Sequence, residues 1–129
     1  MTQIQNPADL AAALAQPRAF LFIWANWAIQ ARSSYSVVAQ IIGSWAAEHP
    51  DQPAPCYIAD VSDQCGEVWD ALAAWLAVEG CPAGPIMTSG VGPLLWLRSG
   101  NVVHHVLAPI QSGVARLVAA SRDAFVDAA

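Results

Sequence analysis

The sequence contains no lysine. Its five positive charges are all arginine, scattered at positions 18, 32, 98, 116 and 122, and its formal net charge is -5. Nucleic-acid binding needs clustered positive charge to replace phosphate counterions, so nucleic acid is excluded as a main partner. An anionic membrane surface is disfavoured for the same reason. Long apolar runs are missing too. The stretch Ala19 to Ala25 falls far short of the roughly 20 residues that span a bilayer. A basic start followed by an apolar segment and a cleavage site is also absent, so no signal peptide and a cytoplasmic location are expected.

Cysteine is scarce and unpaired in pattern. Cys56, Cys65 and Cys81 are odd in number, irregular in spacing, and none pairs with another as C-x-x-C. That is a poor disulfide framework, and the plain reading is incidental thiols in a reducing compartment. Of the three histidines, His104 and His105 are adjacent on a strand and point to opposite faces. His49 adds no ligand spacing, so no metal site is expected. No Ser-His-Asp set, phosphate loop or paired-carboxylate constellation stands out. Gly80, Gly84, Gly90 and Gly92 are too scattered for a nucleotide fingerprint. No cofactor is expected.

What is present is apolar. The chain has 129 residues, 56% hydrophobic and 12% charged. That length fits one domain, 1–129, with a sizeable core and no need of disulfide or metal staples. Asn6-Pro7 starts a helix, Asn as the cap and Pro at the first helical position. Leu10, Ala13 and Leu14 form its apolar face, and Pro17 ends it. Ala19 to Trp24 reads as a central strand buried on both faces. Ile29 to Glu48 follows as a long helix, with Tyr35, Val38, Ile41, Ile42 and Trp45 at helical spacing.

After a turn rich in proline, Cys56 to Val61 reads as a second buried strand. Gln64 to Val78 is a helix with Val68, Trp69, Leu72, Trp75 and Leu76 inward, and Asp60 and Asp63 are expected to cap it. Glu79 to Gly92, carrying four of the eight glycines, reads as a loop. Leu94 to Leu97 and Val102 to Leu107 form a hairpin about Ser99-Gly100-Asn101. A last helix runs on from Pro109, with Val114, Leu117, Val118 and Phe125 inward. The order α-β-α-β-α-β-β-α implies a mixed sheet covered by helices on both faces.

That order, with its late hairpin and closing helix, resembles the thioredoxin fold, a three-layer α/β/α sandwich. The residues Phe22-Ile23-Trp24-Ala25-Asn26-Trp27-Ala28-Ile29-Gln30-Ala31-Arg32 look like the thioredoxin stretch Asp-Phe-Trp-Ala-x-Trp-Cys-Gly-Pro-Cys-Lys. Both tryptophans and the alanine between them fall in register. Gly92-Pro93-Leu94-Leu95-Trp96-Leu97 is similar to the family's cis-proline segment and following strand. Pro93 is therefore the expected cis-proline, ahead of Pro82 and Pro85. Gly100-Asn101-Val102 resembles the Gly-x-Val of the family hairpin. The resemblance covers roughly residues 5 to 127.

The departures bear on function. Family dithiol chemistry needs two cysteines on the first helical turn, one attacking as thiolate and one resolving. Those positions are Ala28 and Ala31. The family's buried Asp corresponds to Phe22, and the Gly-Pro between the cysteines is Ile29-Gln30. The resemblance therefore implies a non-catalytic interaction or oligomerisation module without dithiol-disulfide oxidoreductase activity. Its partner would be another polypeptide or a second copy of the chain. By resemblance the contact surface comprises Trp27, Ala28, Ile29, Gln30, Ala31, Arg32, Gly92 and Pro93, where backbone beside the proline pairs with an extended strand. Two alternatives stand beside it. One is a thiol-dependent redox protein using Cys65 or Cys81, with Cys81 the more accessible. The other is a small-thiol or anion-binding domain at the same helix end, near Arg32.

Overall fold

The computed structural model describes residues 1–126, so the last three residues of the expected span 1–129 lie outside the described residues. Five strands form one mixed sheet in the order β1-β3-β2-β4-β5. They are β1 (Thr2–Ile4), β2 (Arg18–Trp24), β3 (Cys56–Asp60), β4 (Leu94–Arg98) and β5 (Asn101–Val106). β1 and β2 run parallel to β3, while β4 is antiparallel to both β2 and β5. From Ala19 to Trp24 the central strand β2 is apolar because both of its faces are covered. Phe20 and Phe22 point to one side, Leu21 and Ile23 to the other.

Helices cover both faces. α2 (Ile29–Glu48) and α6 (Val114–Phe125) lie on one, where Phe20, Phe22, Val38, Ile41, Trp45, Trp96, Leu117 and Phe125 form a core. α1 (Pro7–Leu14), α3 (Glu67–Val78) and α4 (Ala83–Thr88) cover the other, around Leu10, Leu21, Ile23, Leu72, Leu76, Ile86 and Leu95. The architecture is the expected three-layer α/β/α sandwich. Inside the first core the Trp96 indole N–H donates to Ser121 Oγ at 2.9 Å, and the Ser121 hydroxyl donates to the Leu117 carbonyl at 2.8 Å. These bonds satisfy the polar atoms that α6 brings into an apolar layer.

Several boundaries follow the sequence closely. Asn6 Oδ1 accepts the Asp9 N–H at 2.9 Å and Pro7 opens α1. α2 spans the whole predicted range. Four elements differ. β1 is a strand that precedes the first predicted helix; three residues are too few to show a period. Its pairing places β3 inside the sheet, although Tyr57 and Ile58 stay partly exposed. The predicted loop Glu79 to Gly92 holds α4, with Ile86 and Met87 buried. Pro85 is tolerated there because the first turn of a helix has no use for its N–H.

α3 starts at Glu67 and not at Gln64, since Gln64 and Gly66 take φ of 55° and 104°. Its cap position is Gly66, so Asp60 and Asp63 do not cap it. The final helix is divided at Gly113 into α5 (Pro109–Ser112) and α6. Among the described residues no helix is long and apolar enough to cross a membrane.

Candidate functional site

The motif between the two tryptophans turns the chain from β2 into α2. Asn26 donates its N–H to Ser62 Oγ at 2.8 Å, and the Ala28 N–H reaches the Ala25 carbonyl at 3.2 Å. Ala28 is the cap residue of α2, extended at φ −111° and ψ 122°, with no side chain able to hold the free N–H groups of the first turn. The Arg32 guanidinium turns back toward the Asn26 carbonyl at 3.4 Å.

The loop from Gly90 to Pro93 closes over this helix end. Gly90 and Gly92 take φ of 71° and 70°, in the left-handed region that favours glycine. They also sit where side chains have no room. A Cβ on Gly90 would meet Trp27 Cζ3 at 2.6 Å. One on Gly92 would meet Ser34 Cβ at 2.9 Å, Phe22 Cε1 at 3.0 Å and Ala31 Cα at 3.1 Å. The fully buried Ser34 hydroxyl donates to the Val91 carbonyl at 2.9 Å, and the Pro93 carbonyl accepts the Ile23 N–H at 2.9 Å.

The eight predicted surface residues are thus brought to one end of the sheet but divided by burial. Trp27 is 49% exposed and Ile29 78% exposed. Gln30 and Arg32 are exposed as well. Ala28, Ala31, Gly92 and Pro93 are buried. One expectation here needs correction. No peptide bond among the described residues is cis, so Pro93, Pro82 and Pro85 all follow trans bonds. The chain enters β4 through the two left-handed glycines instead. The Val91 and Pro93 carbonyls, on either side of Gly92, each accept a hydrogen bond from within the protein.

The thiols separate by exposure. Cys56 is buried at the start of β3, and burial pushes its thiol up to about 12. Cys81 is half-buried, its thiol raised by burial and then by the Glu79 carboxylate. Cys65 is exposed, which makes it and not Cys81 the most accessible. It stands in the turn before α3 rather than in the helix. His104 lies beside the Trp96 ring, centroids 4.9 Å apart, and His49 stacks on Trp45 at 3.9 Å. Among the described residues no three His, Cys, Asp or Glu side chains converge as a metal site would require.

Residues with no obvious motif complete the region. Ser34, Val91 and Gly90 hold the loop against α2, and their sequence signal is weak. Tyr35, read as inward by its spacing from Val38, is 42% exposed. Its ring meets Phe22 and Trp24 at centroid distances of 6.2 and 6.0 Å.

No family model matches the sequence, and no curated protein matches it. Solved structures do. Oxidised thioredoxin from Plasmodium falciparum superimposes with a TM-score of 0.62 at 10% identity, covering 93% of this chain and 96% of that one. Thioredoxin O2 from Arabidopsis thaliana gives 0.58 at 16% identity, covering 96% and 93%. The Fasciola hepatica thioredoxin gives 0.58 at 16% identity, covering 93% and 98%. At such identities the likeness establishes the fold alone: this chain has a thioredoxin-like fold.

Proposed function

We propose that this thioredoxin-like chain is a polypeptide-binding module that has given up dithiol-disulfide exchange. The observation that carries the reading is the half-exposed Trp27, held against Gly90 beside the largely exposed Ile29. Exposed aromatic side chains with a fixed pose are common anchors of interfaces. Ala28 and Ala31, at the positions where the resemblance puts the family cysteines, carry only methyl groups and cannot act as nucleophiles. Phe22 in place of the family acid agrees with that loss, since a carboxylate buried there would be costly without a role. The exposed side chains of Trp27, Ile29, Gln30 and Arg32 supply the contact.

A disulfide-reductase assay on the reduced protein, with its three thiols titrated in parallel, tests this. No turnover above background is expected. Cys65 should react first with a thiol reagent, Cys81 more slowly, and Cys56 only on unfolding. In sedimentation of the purified protein, or with a captured partner, Trp27→Ala should weaken association by about 2 kcal/mol or more. Turnover that disappears in Cys65→Ser would transfer the function to that thiol, the second reading that its exposure favours. Association unchanged by Trp27→Ala would remove the surface assignment.

A further inference from the structure

A small pocket of about 160 Å³ opens where β2 and β3 end, lined by Gln3, Trp24, Tyr35, Ile58 and Asp60. The register pairs Gln3 with Ile58 and Trp24 with Asp60. In-register partners on parallel strands share a face, so these four side chains stand on one side of the sheet. Tyr35, from the second turn of α2, supplies the remaining wall. The Trp24 and Tyr35 rings meet at 76° with centroids 6.0 Å apart, forming a corner. Asp60 receives two hydrogen bonds, from the N–H and the hydroxyl of Ser62, and both fall on Oδ1. Among the described residues Oδ2 has no hydrogen-bond partner.

Two aromatic walls at a right angle beside a fixed carboxylate suit an organic cation. The ring faces are the negative part of each quadrupole, and the carboxylate balances the charge. Asp60 is exposed and stays hydrated, so it adds attraction for a cation without being buried, whereas an anion would be repelled by it and by a chain of net charge -5. A planar guanidinium stacks parallel to a ring, whereas a corner wraps a compact head. We propose that this pocket binds an alkylammonium cation, methylated or quaternary, through Trp24, Tyr35 and Asp60. The site does not use Trp27 and stands independently of the proposed interface.

Calorimetric titration of the purified chain with choline, with its neutral isostere 3,3-dimethylbutan-1-ol, and with a trimethyllysine peptide tests the proposal. Saturable binding of a cation, about ten-fold or more tighter than the isostere, is expected. Asp60→Asn should weaken it about ten-fold, Tyr35→Ala should abolish it, and Tyr35→Phe should retain it. Trp27→Ala should leave it unchanged. Binding favouring choline supports a free amine as ligand, and binding favouring the peptide supports a modified lysine side chain. Equal binding of choline and the isostere, no saturation by either cation, or cation binding untouched by both Asp60→Asn and Tyr35→Ala overturns it.

Discussion

His104 shows how one side chain gains a pH dependence from its place on the sheet. It faces Trp96 in register on β4, shares a small cleft with Asp123 of α6, and neighbours His105. Burial first, then the neighbouring His105 charge, lower its pKa from 6.5, while Asp123 opposes them. The neutral ring is therefore the form that the fold favours. The unfolded chain binds more protons in this window, so the contribution is complete above 6.5 and is lost as pH falls through the lowered folded value. The denaturation midpoint should decline as pH drops from about 7 to about 5, and His104→Gln should flatten that decline. Parallel midpoint-against-pH curves for the two proteins would show that another group is responsible.

At the scale of elements, the packing of the Gly90–Pro93 loop on α2 shapes the candidate site. It buries Ala31 and leaves Trp27 on the surface. Gly92→Ala combines a left-handed backbone with a Cβ pressed against Ser34, Phe22 and Ala31. A loss of about 3 kcal/mol in folding stability is expected, read from denaturant midpoints at constant slope. Ser34→Ala leaves the Val91 carbonyl without its donor and should cost about 1–2 kcal/mol. A Gly92→Ala protein of unchanged stability would mean that the loop does not press on the helix as described.

Over the whole molecule, the two apolar cores lie on opposite faces of one sheet and share its strands. Loss of β2 removes Phe20 and Phe22 from one core and Leu21 and Ile23 from the other. Neither layer retains its partner when the sheet opens. Unfolding followed by tryptophan fluorescence and by far-ultraviolet circular dichroism should therefore give one coincident transition. Two separated midpoints would show that one helical layer leaves the sheet before the other. The indole–Ser121 bond from β4 to α6 and the Trp75 bond to the Gly100 carbonyl at 3.1 Å tie helices from both layers to the same hairpin.

The sequence by itself determined what depends on local chemistry. Asn6-Pro7 set the start of α1, the unbroken run through Phe22 set a strand covered on both faces, and the Tyr35-to-Trp45 spacing set α2. The absence of a C-x-x-C pair was equally legible, because it needs only the spacing of three cysteines. Contacts between distant residues had to be seen in three dimensions. β1 is a strand because β3 pairs with it, and α4 forms in a glycine-rich segment because Ile86 and Met87 have a core to enter. Ala31 and Pro93 are buried because Gly90 and Gly92 bring the loop down on α2. Trp24, Tyr35 and Asp60 form one pocket because parallel register and helix position meet there. Side-chain periodicity reports which face of an element is apolar, whereas exposure and convergence depend on what packs against that face.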